Sequence, residues 1–314
     1  MASIDEAASA RGYTALPWRG LITRALEDER WLASVLLLPT IVLLGLFIAY
    51  PFIKGVLLAV TDTKVGIEGK FVGFANFEKL WNDSIFHVAV YNTFLYTFVT
   101  TVFKLVLGLW LALLLNRHFR GKAFVRAFIL LPFIIPTVLS TFAWKWMFDP
   151  TFSVLNWVLF QIGLITGRIN WLGDPDLAII SVMIVNVWRG VPFFAITLLA
   201  GLQTISPELH EAAAIDGARA WNRFRHVTWP LLLPVTMVVV LFSVIQTFAD
   251  FQLVYVLTGG GPANATHLFA TYAYQIGVGT GLLSEGAAVS LAIFPVLLLV
   301  VIIQLLYIRR VETV

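Results

Sequence analysis

The chain has 314 residues, 59% of them hydrophobic and only 12% charged, with a formal charge of +3 and no cysteine. A sequence this apolar cannot cover its own surface with charge, so its long uncharged runs point to lipid as the solvent. The small net charge offers no nucleic-acid surface, and the lack of cysteine excludes disulfides, thiolate metal sites and cysteine nucleophiles.

Residues 1–31 form a polar tail with Asp5, Glu6, Glu27, Asp28 and Glu29, unlike the basic start and short apolar core of a cleaved signal peptide. A helix that crosses a bilayer needs about 20 mostly apolar residues. Windows over 32–53, 91–115, 124–147, 178–202, 230–250 and 286–308 meet that requirement. The expected fold class is therefore an all-α integral membrane protein with six transmembrane helices. Prolines inside the windows, such as Pro39, Pro132, Pro136, Pro192 and Pro295, are tolerated where neighbouring helices re-satisfy the backbone. Lysine and arginine set the orientation. Thirteen fall in segments on the N-terminal side, among them Arg117, Arg120, Arg219 and Arg309, against five on the other side, Lys54, Lys64, Lys70, Lys79 and Arg168. Both tails, 1–31 and 309–314, and the loop 203–229 are thus expected in the cytoplasm, with 54–90, 148–177 and 251–285 outside.

Polar groups at membrane depth are functional candidates. The fourth span carries Asn186, Trp188, Arg189 and Gly190, with Phe193 about one turn further. The fifth carries Gln246, Thr247 and Asp250 near its outer end, with Gln252 and Tyr255 beyond. Planar amide and carboxylate groups beside aromatic rings suit a hydroxyl-rich solute with apolar faces. Two readings of Asn186 stay open, a solute contact or a hydrogen bond between helices. Arg189 and Asp250 are open to a mutual ion pair, or Arg189 to an anionic solute. Lys145 is expected to snorkel to the outer interface, and Gly259 to Pro262 to turn over the outer mouth. Lys104, in mid-span, has no evident role.

The loop after the fourth span has its own pattern. Ser206-Pro207 is a helix start, with an N-cap hydroxyl and a first-turn proline. Ala212, Ala213 and Ala214 favour helix and allow close approach by another surface. Gly217, after Asp216, supplies the left-handed position that ends the helix. A second short helix places Trp221 and Phe224 three apart on one face, and Pro230 and Pro234 open the next span. An amphipathic loop lying on the membrane would share this outline, but small alanines around the acidic Glu211 suit a protein groove better.

Glu211-Ala212-Ala213, Asp216-Gly217-Ala218, Phe224, Pro230 and Pro234 resemble the EAA loop of ABC importer permeases. Phe71-Val72-Gly73-Phe74-Ala75-Asn76-Phe77, WKWMFDP at 144–150, NVWRGVPF at 186–193 and the run from Gly259 to Pro262 are similar to the carbohydrate-uptake branch of that family. They match the MalF-like or UgpA-like member of its permease pair. The resemblance runs from about residue 30 to the end of the chain.

It implies a type I ABC importer transmembrane-domain fold over 32–308, in the inner (plasma) membrane of a bacterium. It also implies an ATPase-coupling role for Glu211, Ala212, Ala213, Asp216, Gly217, Ala218 and Phe224, and solute contacts at Asn186, Gly190 and Phe193. The implied partners are a second homologous permease in a heterodimer, two ATPase subunits that hold ATP and magnesium, a periplasmic or extracellular solute-binding protein, and membrane lipid. The chain itself is expected to carry no cofactor, metal or catalytic residue. Gly69-Lys70 and Gly121-Lys122 lack the upstream glycine and the following hydroxyl of a phosphate-binding loop. An ion-driven carrier would need a relay of carboxylates, and the spans offer only Asp250. A membrane enzyme would need a cluster of ligands or catalytic groups, and the five histidines are scattered.

Overall fold

The computed structural model describes residues 29–312; residues 1–28 of the expected N-terminal tail and 313–314 of the C-terminal one lie outside it. The chain divides into two units, one ending at Leu57 and one beginning at Leu58. The described part of the first unit is helical. Helix α1 (Glu29–Leu44) runs through a π-helical turn at Gly45–Ala49 into α2 (Tyr50–Ala59). No residue of its most apolar window is buried. A helix apolar on every side is solvated by lipid.

The second unit continues with a short α3 (Ala75–Trp81) and the long α4 (Ser84–Asn116). Asp83 caps α4 by accepting from the Ile85 N–H at 2.9 Å, satisfying one of the orphan donors at a helix start. Helices α5 (Lys122–Ile134) and α6 (Thr137–Met147) follow, then the small α7 (Val154–Gln161) and α8 (Pro175–Gln203). Asp174 caps α8 with two bonds of 3.0 Å, and Pro175 fills its first position. Next come α9 (Pro207–Ile215), α10 (Ala220–Arg223), a π-turn at Phe224–Thr228 and α11 (Trp229–Phe248). The chain ends with α12 (Gln252–Leu257), α13 (Phe269–Tyr274), a π-turn at Gln275–Gly279 and α14 (Leu283–Glu312). Among the described residues there is no β-strand, only the isolated bridges Thr61–Phe71 and Lys64–Ile67.

Five continuous helical stretches are long and apolar enough to cross a membrane: Trp31–Ala59, Ser84–Asn116, Pro175–Gln203, Ala220–Phe248 and Leu283–Tyr307. The window expected as one span at 124–147 is instead two helices, α5 and α6, bent by 91°. The bend follows from Pro136. The residue before a proline is pushed out of the helical region, and Ile135 is extended at φ −63°, ψ 131°. Most other ends extend past the expected windows, by up to ten residues at Ala220, whereas the stretch expected to end at 250 stops at Phe248.

Helix α4 packs along α8, and glycine sets how closely. A Cβ on Gly108 would lie 2.4 Å from Phe194 Cβ, and one on Gly190 would lie 2.3 Å from Lys104 Cδ. Small residues at such crossings allow the close backbones on which membrane helices rely. Two apolar clusters are spaced along this pair. One gathers Tyr96, Val182 and Val185 with Leu253, Val254 and Leu257. The other gathers Ala112, Leu115, Phe194, Leu198 and Leu202 with Leu232 and Val239. Lys104 and the Asn186–Gly190 turn lie between them, about 12 Å along the axis from each cluster on α4.

The membrane face on which α4 begins is closed by a third cluster, including Ala59, Phe86, Phe269 and Val289, and by polar clasps. Tyr272 donates its hydroxyl to Asp83 Oδ2. Asn92 Nδ2 donates to the carbonyls of Ala265 (2.7 Å) and His267 (3.2 Å). Burial, and then the Asp83 carboxylate, push the Tyr272 phenol above its ordinary pKa. Burial pushes the His267 imidazole below its own, because a charged ring is costly away from water.

Candidate functional site

The polar layer between the two clusters opens into a cavity of about 630 Å³. Lys104 of α4, Phe133 and Thr137 at the α5–α6 bend, Asn186, Arg189, Gly190 and Phe193 of α8, and Phe242, Ser243, Gln246 and Thr247 of α11 line it, together with residues 249–252. Asn186, Arg189, Gly190 and Phe193 follow an i, i+3, i+4, i+7 spacing, so one face of α8 presents all four.

Asp250 sits where the chain leaves α11, past Ala249 at φ −92°, ψ 10°. Its Oδ2 accepts from Tyr96 Oη at 2.7 Å and from Asn186 Nδ2 at 3.1 Å, and its Oδ1 accepts from the Leu253 N–H at 3.4 Å. Three elements therefore meet on one carboxylate. Lys104 Nζ donates to Thr247 Oγ1 at 2.9 Å while its stem rests on Gly190. Its ammonium thus lies at the C-terminal end of α11, where the helix dipole favours a cation. Phe193 stacks on Phe133 at 5.6 Å and tilts against Phe242 at 5.2 Å, forming an aromatic wall. Asn186 Oδ1, Arg189 Nε and Ser243 Oγ are buried without a hydrogen-bond partner among the described residues, so the site has unspent donors and acceptors.

Of the residues singled out from sequence, Asn186, Arg189, Gly190, Phe193, Gln246 and Asp250 line this cavity. Trp188 does not. Two residues on from Asn186, it points to the opposite side of α8 and meets Trp144 edge-on at 5.4 Å, beside a separate apolar cavity. Tyr255 is one ring removed, stacked on Phe251 at 4.9 Å and against Tyr274 at 5.2 Å. Arg189 and Asp250 form no ion pair among the described residues, because Tyr96 and Asn186 hold the carboxylate. Sequence reading passed over Tyr96, Phe133, Thr137 and Phe242 within the apolar windows and Phe251 just past one, since no local pattern sets them apart from the other aromatic and hydroxyl side chains there. Lys104 did carry one, as a charge in mid-membrane.

The loop after α8 is an elbow. Ser206 occupies the N-cap position of α9, but its hydroxyl makes no capping bond. The Ser206 backbone carbonyl accepts from Leu209 N at 3.2 Å instead. At the other end Gly217 takes φ +79°. Ala218 N donates to Ala213 O at 2.9 Å and Gly217 N to Ala214 O at 3.1 Å, the 6→1 and 5→2 pair that closes a helix on a left-handed glycine. Trp221 stacks on Phe224 at 5.6 Å. Glu211, Ala212, Asp216 and Gly217 are exposed, with Ala213, Ala218 and Phe224 half-buried. Ile215 at 87% and Trp221 at 66% leave apolar surface open on the elbow. Lys145 reaches the Val256 carbonyl at 3.3 Å.

The family model for binding-protein-dependent transport system inner membrane components matches residues 104–313. The trehalose/maltose transport system permease protein MalF of Thermococcus litoralis is 34% identical over 278 residues, covering 88% of this chain and 93% of that protein. The sulfoquinovosyl glycerol transport system permease protein SmoG of Agrobacterium fabrum is 34% identical over 290 residues, covering 91% and 94%. A chain from the crystal structure of a bacterial ABC transporter involved in the import of the acidic polysaccharide alginate superposes with a TM-score of 0.79 at 25% identity, over 92% of this chain and 98% of that one. With these matches, the polar cavity and the elbow belong to a membrane-spanning permease: the chain is a member of the binding-protein-dependent transport system inner membrane components, the permease family of ABC transporters.

Proposed function

We propose that the chain is one half of the translocation pathway of an ATP-driven sugar importer, with solute passing the Asn186–Asp250 cavity and force entering at the elbow. The observation that carries it is the cavity itself. Hydrogen-bonding amide, carboxylate and cationic groups face an aromatic wall at mid-depth, which matches a sugar's hydroxyls and apolar faces. The names of the relatives support the same reading.

In this reading the elbow docks in a cleft of a cytoplasmic ATPase, with Glu211 towards a basic group and Ile215 and Trp221 filling apolar recesses. A second, homologous permease completes the pathway, two ATPase subunits hold ATP and magnesium, and a solute-binding protein delivers the sugar from outside. The chain lies in the inner membrane with both tails in the cytoplasm. The chain reconstituted alone then neither transports nor hydrolyses ATP. The full complex does both, and Glu211→Lys or Gly217→Pro uncouples it. Transport by the chain alone would sink the proposal.

One observation favours a narrower solute. Lys104 and Arg189 face a single carboxylate in the cavity, leaving an excess positive charge with Arg189 Nε unpartnered. A sugar bearing a carboxylate, sulfonate or phosphate would balance it. Uptake of an anionic sugar should then fall more than that of a neutral one in Arg189→Gln; equal loss removes this reading.

A further inference from the structure

The segment between α6 and α8 joins two helix ends on the membrane face opposite the elbow, and it is too apolar for a loop in water. Trp146 (78%), Phe152 (77%), Trp157 (63%) and Phe160 (58%) are exposed, yet the backbone beneath them is firmly held. Ser153 Oγ donates to Met147 O at 2.6 Å and accepts from Asn156 N at 3.1 Å. Buried Asn156 donates to Ile169 O and accepts from Trp171 Nε1, both at 2.9 Å. These bonds fix one side of α7 to the protein and turn Trp157 and Phe160 outward. A cavity of about 580 Å³ lies between α7 and residues 165–168, and Arg168 is the only charged residue among those lining it. Asp149 nearby is occupied, its Oδ1 accepting from Thr151 N and Phe152 N at 2.8 and 2.9 Å.

We propose that this segment lies in the bilayer leaflet opposite the elbow and that its cavity is a phospholipid site. The headgroup phosphate meets Arg168, and the upper acyl chain runs along Trp157 and Phe160. Tryptophan favours the depth where hydrocarbon meets headgroups. A guanidinium with no carboxylate in the same cavity complements a phosphate, and an anchored helix with an apolar outer face lies in the interface rather than across it. The chain solvates its spans in the same lipid, so the occupant is already at hand. None of this depends on the solute carried.

The absence of cysteine makes the test direct. Trp157→Cys and Phe160→Cys are spin-labelled in the assembled complex, in vesicles of phosphatidylethanolamine and phosphatidylglycerol. Collisions with oxygen should exceed those with a water-soluble nickel chelate. Dominance of nickel means the segment faces water, and low values for both mean a protein covers it; either overturns the proposal. Leu164→Cys, at an exposed position, substitutes if those variants fail to assemble. Native mass spectrometry then tests the headgroup contact. The wild-type complex should retain a phospholipid that Arg168→Glu loses at least threefold more readily, and equal retention refutes the phosphate site.

Discussion

Replacing Gly217 tests whether the elbow's shape is what an ATPase reads. Its φ is +79°, and a Cβ added there meets nothing within 4 Å. Gly217→Ala therefore introduces no clash, only the cost of holding an L-residue in the left-handed region, about 1–2 kcal/mol. That cost falls on docking, on the premise that an alanine elbow leaves the turn when undocked and must re-form it to dock. The affinity of the ATPase subunit for the nanodisc-embedded permease pair should drop about 5- to 30-fold, the range these energies correspond to. Asparagine tolerates the left-handed region far better than alanine, so Gly217→Asn should recover most of the loss despite its larger side chain. Titration of the ATPase by surface-binding kinetics measures all three. If alanine binds like wild type, or asparagine worse than alanine, the left-handed turn is not what positions the elbow.

Other outcomes follow from the same structure. Gly108→Val places a branched side chain where Phe194 Cβ would lie 2.4 Å away; overpacking of this kind costs about 1–3 kcal/mol and should lower the thermal unfolding midpoint of the purified complex, whereas Gly55→Ala, with nothing within 4 Å, should not. Tyr96→Phe removes a hydrogen bond to the buried Asp250 and should cost about 1.5–3 kcal/mol of stability, read in the same melt. Asp250→Asn keeps the side-chain shape but removes the one carboxylate that, among the described residues, lines the cavity with Lys104 and Arg189; transport in proteoliposomes should fall at least tenfold while the assembled complex still purifies intact. His267 is held neutral by burial, so folding opposes its protonation. Its contribution to stability is complete above the ordinary histidine pKa of about 6.5 and is lost as pH falls from there toward the lower folded-state value. Melts from pH 8 to 5 should show that loss in the wild type and a flatter profile in His267→Gln.

Much of this was legible in the chain itself. Uninterrupted apolar runs announced the spans, since lipid imposes length and composition on any helix that crosses it. Gly217 was readable because only glycine takes a left-handed turn cheaply, and the face shared by Asn186, Arg189, Gly190 and Phe193 is a matter of helical spacing. The same spacing argues against Trp188, which faces away. Ser206 shows the limit of a local rule: it takes the N-cap position, yet its hydroxyl makes no capping bond and its carbonyl accepts from Leu209 N.

What the tertiary structure alone decided was which distant groups meet. Tyr96 and Asp250 are 154 residues apart and Lys104 and Thr247 are 143 apart, and no periodicity links them. Their meeting depends on how closely α4 and α8 approach through Gly108 and Gly190, on the break after α11, and on the 91° bend that brings Phe133 and Thr137 to the cavity. Composition and spacing determine that a helix forms and which face is polar, because those are properties of neighbours in the chain. Which polar faces share a cavity is a property of packing between helices, where a single missing Cβ moves whole backbones.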